Sequence, residues 1–155
     1  MLRLSKLTDY AVVVLVRLGP EGAEPEVQTS PGIAAATGIP EPTVAKVLKA
    51  LTASGLVASQ RGARGGYRLN RPLAAIPVAD VIAAIDGPIA LTACVEGSGS
   101  ECESRGFCPM AGRWDPVNAA IRDALTGISL ADMQVAAVPR ALRAPIAPRL
   151  HSASL

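Results

Sequence analysis

Glycine and proline breaks between residues 30 and 70 leave this chain little choice of fold there. Ser30-Pro31 pairs an N-capping side chain with proline at the first helical position, and Gly38 ends the segment after Ile33, Ala34 and Ala36. A second helix starts near Glu41, with Pro42 in its first turn. It carries Val44, Val47, Leu48 and Leu51 on one face and stops at Ser54-Gly55. Directly after it, residues 56–59 and 67–69 read as strands on either side of the turn-rich stretch Arg61-Gly62-Ala63-Arg64-Gly65-Gly66. Two short helices joined by a tight glycine turn and followed by a hairpin make a helix-turn-helix with a wing.

The flanking segments fit that plan. In residues 5–18, Leu7, Ala11, Val14, Leu15 and Leu18 recur at three- and four-residue steps before Gly19-Pro20, which predicts a first helix. Val12, Val13, Val14 and Val16 lower helix propensity and would also suit a strand, so periodicity and length carry that assignment. Residues 22–28 read as a surface loop, and 77–85 as a short helix with Val78, Val81, Ile82 and Ile85 on its apolar face. Residues 88–112 change to an irregular loop holding all three cysteines. From Trp114 onward Val117, Ile121, Leu125 and Ile128 repeat at helical spacing with no remaining element to cover them, so a partner subunit is the expected cover.

The expected fold class is therefore mostly α with a small β-hairpin: a winged helix-turn-helix plus a long C-terminal dimerisation helix. Its parts are a DNA-binding domain over 1–87, a cysteine loop over 88–112, a dimerisation helix region over 113–134 and a flexible tail over 135–155. The longest apolar candidate for a membrane span, 11–18, is short and contains Arg17. The first ten residues lack the pattern of a secretory signal. A cytoplasmic protein without a membrane partner is expected.

A net charge of +2 hides an uneven distribution. Residues 1–75 carry nine Lys or Arg against five acids, residues 76–135 three against eight, and between Lys46 and Arg71 there are six bases and no acid. Such a patch suits either a polyanion or an ordinary solvated surface. In the second helix Thr43, Lys46 and Lys49 lie at three-residue steps opposite the apolar face, where a reading helix presents groups to the major groove. In the hairpin, Arg61 and Arg64 supply charge for the minor groove or phosphates, Arg68 can hold the adjacent backbone, and Gly62, Gly65 and Gly66 permit a sharp turn. A phosphate-cradling nucleotide loop is disfavoured, because no Gly-Lys-Ser/Thr follows the glycines. No Ser/His/Asp set or paired catalytic carboxylates point to an enzyme.

Cys94, Cys102 and Cys108 fall within fifteen residues, separated by seven and five, and Pro109 follows the last. Clustering in a Gly/Ser-rich loop favours metal or redox chemistry, with iron–sulfur clusters and zinc as the soft-ligand choices. Three thiolates leave a four-coordinate site one ligand short. His151 lies in the expected flexible tail, and Asp9, Glu96, Glu101, Glu103 and Asp115 are the oxygen donors available.

With these elements in place the chain closely resembles the Rrf-type family of bacterial winged-helix regulators, which includes an iron–sulfur regulator and a nitric-oxide sensor. The resemblance covers residues 1–134. It is carried by Leu4-Ser-Lys-Leu-Thr-Asp-Tyr-Ala11, Leu56-Val57, Arg61-Gly-Ala-Arg-Gly-Gly-Tyr-Arg-Leu69, Ala79-Asp-Val-Ile82 and the cysteine loop. Within the family, Glu41-Pro-Thr-Val-Ala-Lys-Val-Leu-Lys49, Ala93-Cys94 and Gly112-Arg-Trp-Asp-Pro-Val117 look most like the branch that regulates the SUF iron–sulfur assembly operon.

The resemblance implies a homodimer on double-stranded promoter DNA, acting as a repressor. It further implies an iron–sulfur cluster held by Cys94, Cys102 and Cys108, with [2Fe-2S] favoured and [4Fe-4S] open. The family's iron–sulfur regulator has a ligating His three residues after its last Cys, where this chain has Ala111. Asp9 sits where the nitric-oxide sensor places an acidic ligand from the partner subunit, which makes it the leading fourth ligand. The competing readings are a nitric-oxide or redox sensor of the same family, and a thiol or zinc regulator without iron.

Overall fold

The computed structural model describes residues 3–19 and 26–134. The expected flexible tail and His151 lie outside the described residues, as does part of the expected loop over 22–28.

Helix α1 spans Lys6–Leu18, capped by the Ser5 hydroxyl, which accepts the Thr8 N–H at 3.2 Å. It buries Thr8, Ala11, Val14, Leu15 and Leu18. Periodicity thus overrides the β-branched run: Val14 faces the core, while Val13 is 40% exposed. Helix α2 covers Ser30–Thr37, and its cap is Thr29, one residue earlier than the sequence suggests. Thr29 has extended backbone angles and its hydroxyl accepts the Gly32 N–H, so Ser30 enters the first turn as a helical residue with Pro31 behind it. Gly38, at φ 73°, turns the chain sharply into α3, Glu41–Ala53, which buries Val44, Val47, Leu48 and Leu51.

The hairpin pairs β1, Val57–Gln60, with β2, Gly66–Leu69, in the antiparallel register Val57↔Leu69 to Gln60↔Gly66. Sequence reasoning missed a third partner. Gln28 exchanges both backbone hydrogen bonds with Tyr67, at 2.9 and 2.7 Å, and its side-chain amide donates to the Arg17 carbonyl at 2.9 Å. The end of the expected loop is therefore a one-residue edge that ties the wing to the end of α1.

A short 3-10 turn, Leu73–Ala75, leads to α4, Val78–Asp86. After the cysteine loop come α5, Asp115–Thr126, and α6, Leu130–Gln134. The region expected as one long helix over 113–134 is two helices, because Ser129 bridges Pro77 and the chain turns back there. Val78 N–H donates to Ile128 at 2.8 Å, and Leu130 N–H to Ile76 at 2.9 Å. Leu130 is fully buried in the core formed by α1, α3 and α4, with Leu125, Ile128 and Ala131 packed against it. The expectation that nothing within the chain covers this region is thereby corrected: its C-terminal half is covered, and Val117, 45% exposed, is not.

Candidate nucleic-acid interface and cysteine loop

On α3 the buried apolar face fixes which side chains point outward. Lys46 and Lys49 are exposed together with Glu41, Pro42 and Ala45, whereas Thr43 is half-buried at the edge of that face. On the wing Arg61, Arg64 and Arg68 are all exposed. Among the described residues none of these five cations takes a side-chain hydrogen bond or an ion pair. The sixth base of the run, Arg71, is committed to Asp80 at 2.9 Å and to the Ala75 carbonyl. A surface of unpaired cations on one helix and its adjoining hairpin keeps its full charge for an outside anion.

The wing glycines serve the fold before they serve any ligand. A Cβ on Gly65 would run into the Gln60 carbonyl oxygen, and one on Gly66 would stand 2.5 Å from the Gln28 carbonyl. Close backbone approach inside the three-way hairpin therefore explains both. Gly62, with φ 112° and open space around it, is the one that shapes the exposed tip between Arg61 and Arg64.

The cysteine loop is a chain of turns attached at its start to α5. Asn118, 3% exposed, accepts the Leu91 N–H at 2.9 Å and donates its amide to the Ile89 carbonyl at 2.9 Å. Asp115 accepts the Glu96 N–H at 3.1 Å. Cys94 thus sits between two points held by side chains of α5, next to buried Val95, with its Sγ 3.0 Å from the Thr92 hydroxyl. Cys102 and Cys108 lie farther along, each in a turn closed by its own carbonyl, to Arg105 and Ala111 respectively.

All three thiols are free and half-buried. In kind this donor set suits an iron–sulfur cluster, since soft thiolates on a short loop are its usual ligands. The positions are not drawn together, however: among the described residues no three His, Cys, Asp or Glu side chains form a group that could hold a metal. Asp9 is exposed in the first turn of α1 and joins no such group within the chain. Asp115 is occupied as a clamp on the loop.

Two functional linkages escaped sequence reasoning, and both had the same signal. Asn118 lies on the apolar stripe of α5, three residues before Ile121, and Thr8 on that of α1, three before Ala11. Polar residues at core positions must find buried partners. Thr8 donates to Asp86 at 2.7 Å, joined by the Ser5 N–H at 3.3 Å, which locks the start of α1 to the end of α4. Burial pushes the Asp86 carboxyl up, but the hydrogen bonds from Ser5 and Thr8 outweigh it and hold the group below its ordinary value of 3.8.

Comparison with known proteins agrees with this geometry. The profile of the Rrf2 family, described as an iron-dependent transcriptional regulator, matches residues 4–136. A Mycobacterium tuberculosis protein named as an HTH-type transcriptional regulator is 36% identical over 138 residues, 89% of this chain and 84% of its own length. Among solved structures, T. potens IscR is similar with a TM-score of 0.57 and 30% identity, covering 86% of each chain. CymR of B. subtilis, the global cysteine regulator of that organism, is similar with a TM-score of 0.64 and 26% identity, covering 86% of this chain and 96% of its own. Proteins of this kind are regulators of transcription and not enzymes. No helix among the described residues is long and apolar enough to cross a membrane.

Proposed function

Because this chain belongs to the Rrf2 family of transcriptional regulators, we propose that it is a homodimeric repressor of iron–sulfur assembly genes. In this reading it acts in the cytoplasm, and its hold on promoter DNA depends on an iron–sulfur cluster carried by the cysteine loop. The observation that carries the DNA-binding half is the set of five unpaired cations, Lys46, Lys49, Arg61, Arg64 and Arg68, exposed on the reading helix and the wing. Lys46 and Lys49, with Thr43 beside them, serve the major groove and its phosphates, and Arg61 and Arg64 the minor groove.

The cluster half is supported by the family's description as iron-dependent, by likeness to IscR, and by three free thiols on one loop. Cys94, Cys102 and Cys108 would hold the cluster, with [2Fe-2S] favoured, and Asp9 of a second copy is the first candidate for the remaining position. Bound there, a cluster supplies a centre that responds to iron, oxidants and redox state. The chain's own part is to convert loop order into helix placement. Asn118 and Asp115 fasten the Cys94 segment to α5, so a change in the loop bears directly on that helix. If α5 pairs with its copy, as exposed Val117 and half-buried Ile121 on its outer side favour, that change resets the spacing of two reading heads.

Likeness to CymR favours a second reading, in which the same thiols respond by oxidation or hold zinc without iron. Anaerobic purification followed by a visible spectrum and assays of iron and acid-labile sulfide separates the two. Iron–sulfide absorbance and sulfide that are both lost in Cys102→Ala support the cluster. Colourless protein that takes up no iron on reconstitution, or holds zinc alone, excludes the cluster and leaves thiol or zinc sensing.

A further inference from the structure

From residue 27 to residue 79 the chain carries six basic residues and a single acid, Glu41. That acid is the first residue of α3, the helix read above as the one that enters the major groove. It is exposed, and no side chain among the described residues bonds to it. The positions three and four residues ahead, where a helical ion pair would place its cation, are Val44 and Ala45.

A carboxylate here costs affinity for a phosphate backbone, because its charge opposes the attraction supplied by Lys46 and Lys49. The helix dipole offsets part of that cost, but an acid at any other position of the first turn would do the same. What is particular to Glu41 is its place as the exposed first residue of α3. Side chains of a helix tilt toward its N-terminus, so an exposed first-turn residue projects ahead of the helix end, where recognition helices meet base edges. An ionised carboxylate has acceptors only, and the major-groove edge that presents an amino donor without a neighbouring purine acceptor is cytosine N4.

We infer that Glu41 is a specificity-determining residue that accepts a hydrogen bond from a cytosine N4 amino group in each half-site. The inference rests on the DNA-binding reading above. Its role is discrimination: Glu41 selects cytosine at one position and penalises register in which the carboxylate would face phosphate.

The test is in vitro selection from a random duplex pool with the full-length wild type, Glu41→Ala and Glu41→Gln, paired with thermal melting and with affinity for a scrambled duplex. Wild type should enrich a cytosine at one position of each half-site, and Glu41→Ala should lower that preference at least about five-fold. Its affinity for scrambled DNA should hold or rise. Glu41→Gln, which keeps the shape but adds donors, should move the preference toward adenine at that position. A helix-stabilising role alone would lower the melting temperature of Glu41→Ala and leave every base preference unchanged, which overturns the inference while DNA binding stands. Wild type that enriches no sequence overturns the DNA-binding reading and this inference with it.

Discussion

Replacing Arg64 with alanine removes one exposed guanidinium from the wing tip and disturbs no hydrogen bond or ion pair among the described residues. DNA affinity should fall at least several-fold at fixed salt, and the slope of log affinity against log salt should flatten by about 1, as fluorescence anisotropy would record. Arg71→Ala provides the contrast: its partner is Asp80, so it should cost stability more than DNA affinity. The wing and helix cations were legible in the sequence because spacing opposite an apolar stripe puts Lys46 and Lys49 on the surface. Thr43 was less so, since three-residue steps drift around a 3.6-residue helix and leave it at the boundary. Asp86 illustrates what single-residue reading could not reach, because its partners lie 78 and 81 positions away. Its carboxyl is held below 3.8 in the folded chain, so its contribution is complete above that pH and is lost as the pH falls through the lower folded value. Melting temperature against pH should therefore fall less steeply below 3.8 in Asp86→Asn than in wild type; identical acid limbs would remove Asp86 from the account.

At the scale of elements, the wing and the cysteine loop are each held by one unobtrusive residue from elsewhere. Gly66→Ala should break the contact with Gln28, because its new methyl would need the space of the Gln28 carbonyl. A loss of about 1–3 kcal/mol in urea unfolding is expected, with faster amide exchange at Tyr67. Asn118→Ala leaves the Leu91 N–H and the Ile89 carbonyl without partners, at a similar cost of about 1–3 kcal/mol. It should also free the Cys94 segment, raising the rate at which a thiol reagent labels Cys94 relative to Cys108. Labelling rates unchanged by the substitution would show that α5 does not hold the loop. Helices, hairpin and their order were legible because each has its own period and punctuation. The Gln28 edge was not, since one bridging residue has no period at all. The break between α5 and α6 was hidden for a related reason: Ile128 and Leu130 continue an apolar pattern, and the backbone bonds to Ile76 and Val78 are what turn the chain.

For the whole molecule, the chain alone buries Leu130 and packs Leu125 and Ile128 partly against the core, while Val117 remains exposed and an apolar groove lined by Leu4, Ile82, Ile89, Leu91, Ile121 and Leu125 opens beside α5. A second copy is the proposed cover. Val117→Arg should therefore halve the mass measured by light scattering, keep the melting temperature of the fold, and weaken binding to a two-half-site operator far more than to a single half-site. In the proposed function, the state of the cysteine loop sets DNA occupancy. Its most direct test is the dissociation constant of anaerobic wild-type protein on its selected duplex, measured before and after removal of iron, beside Cys102→Ala at the same salt. Constants at least about ten-fold apart are expected, a coupling of about 1.4 kcal/mol, with Cys102→Ala matching the iron-free value throughout. Equal constants for all three would contradict it.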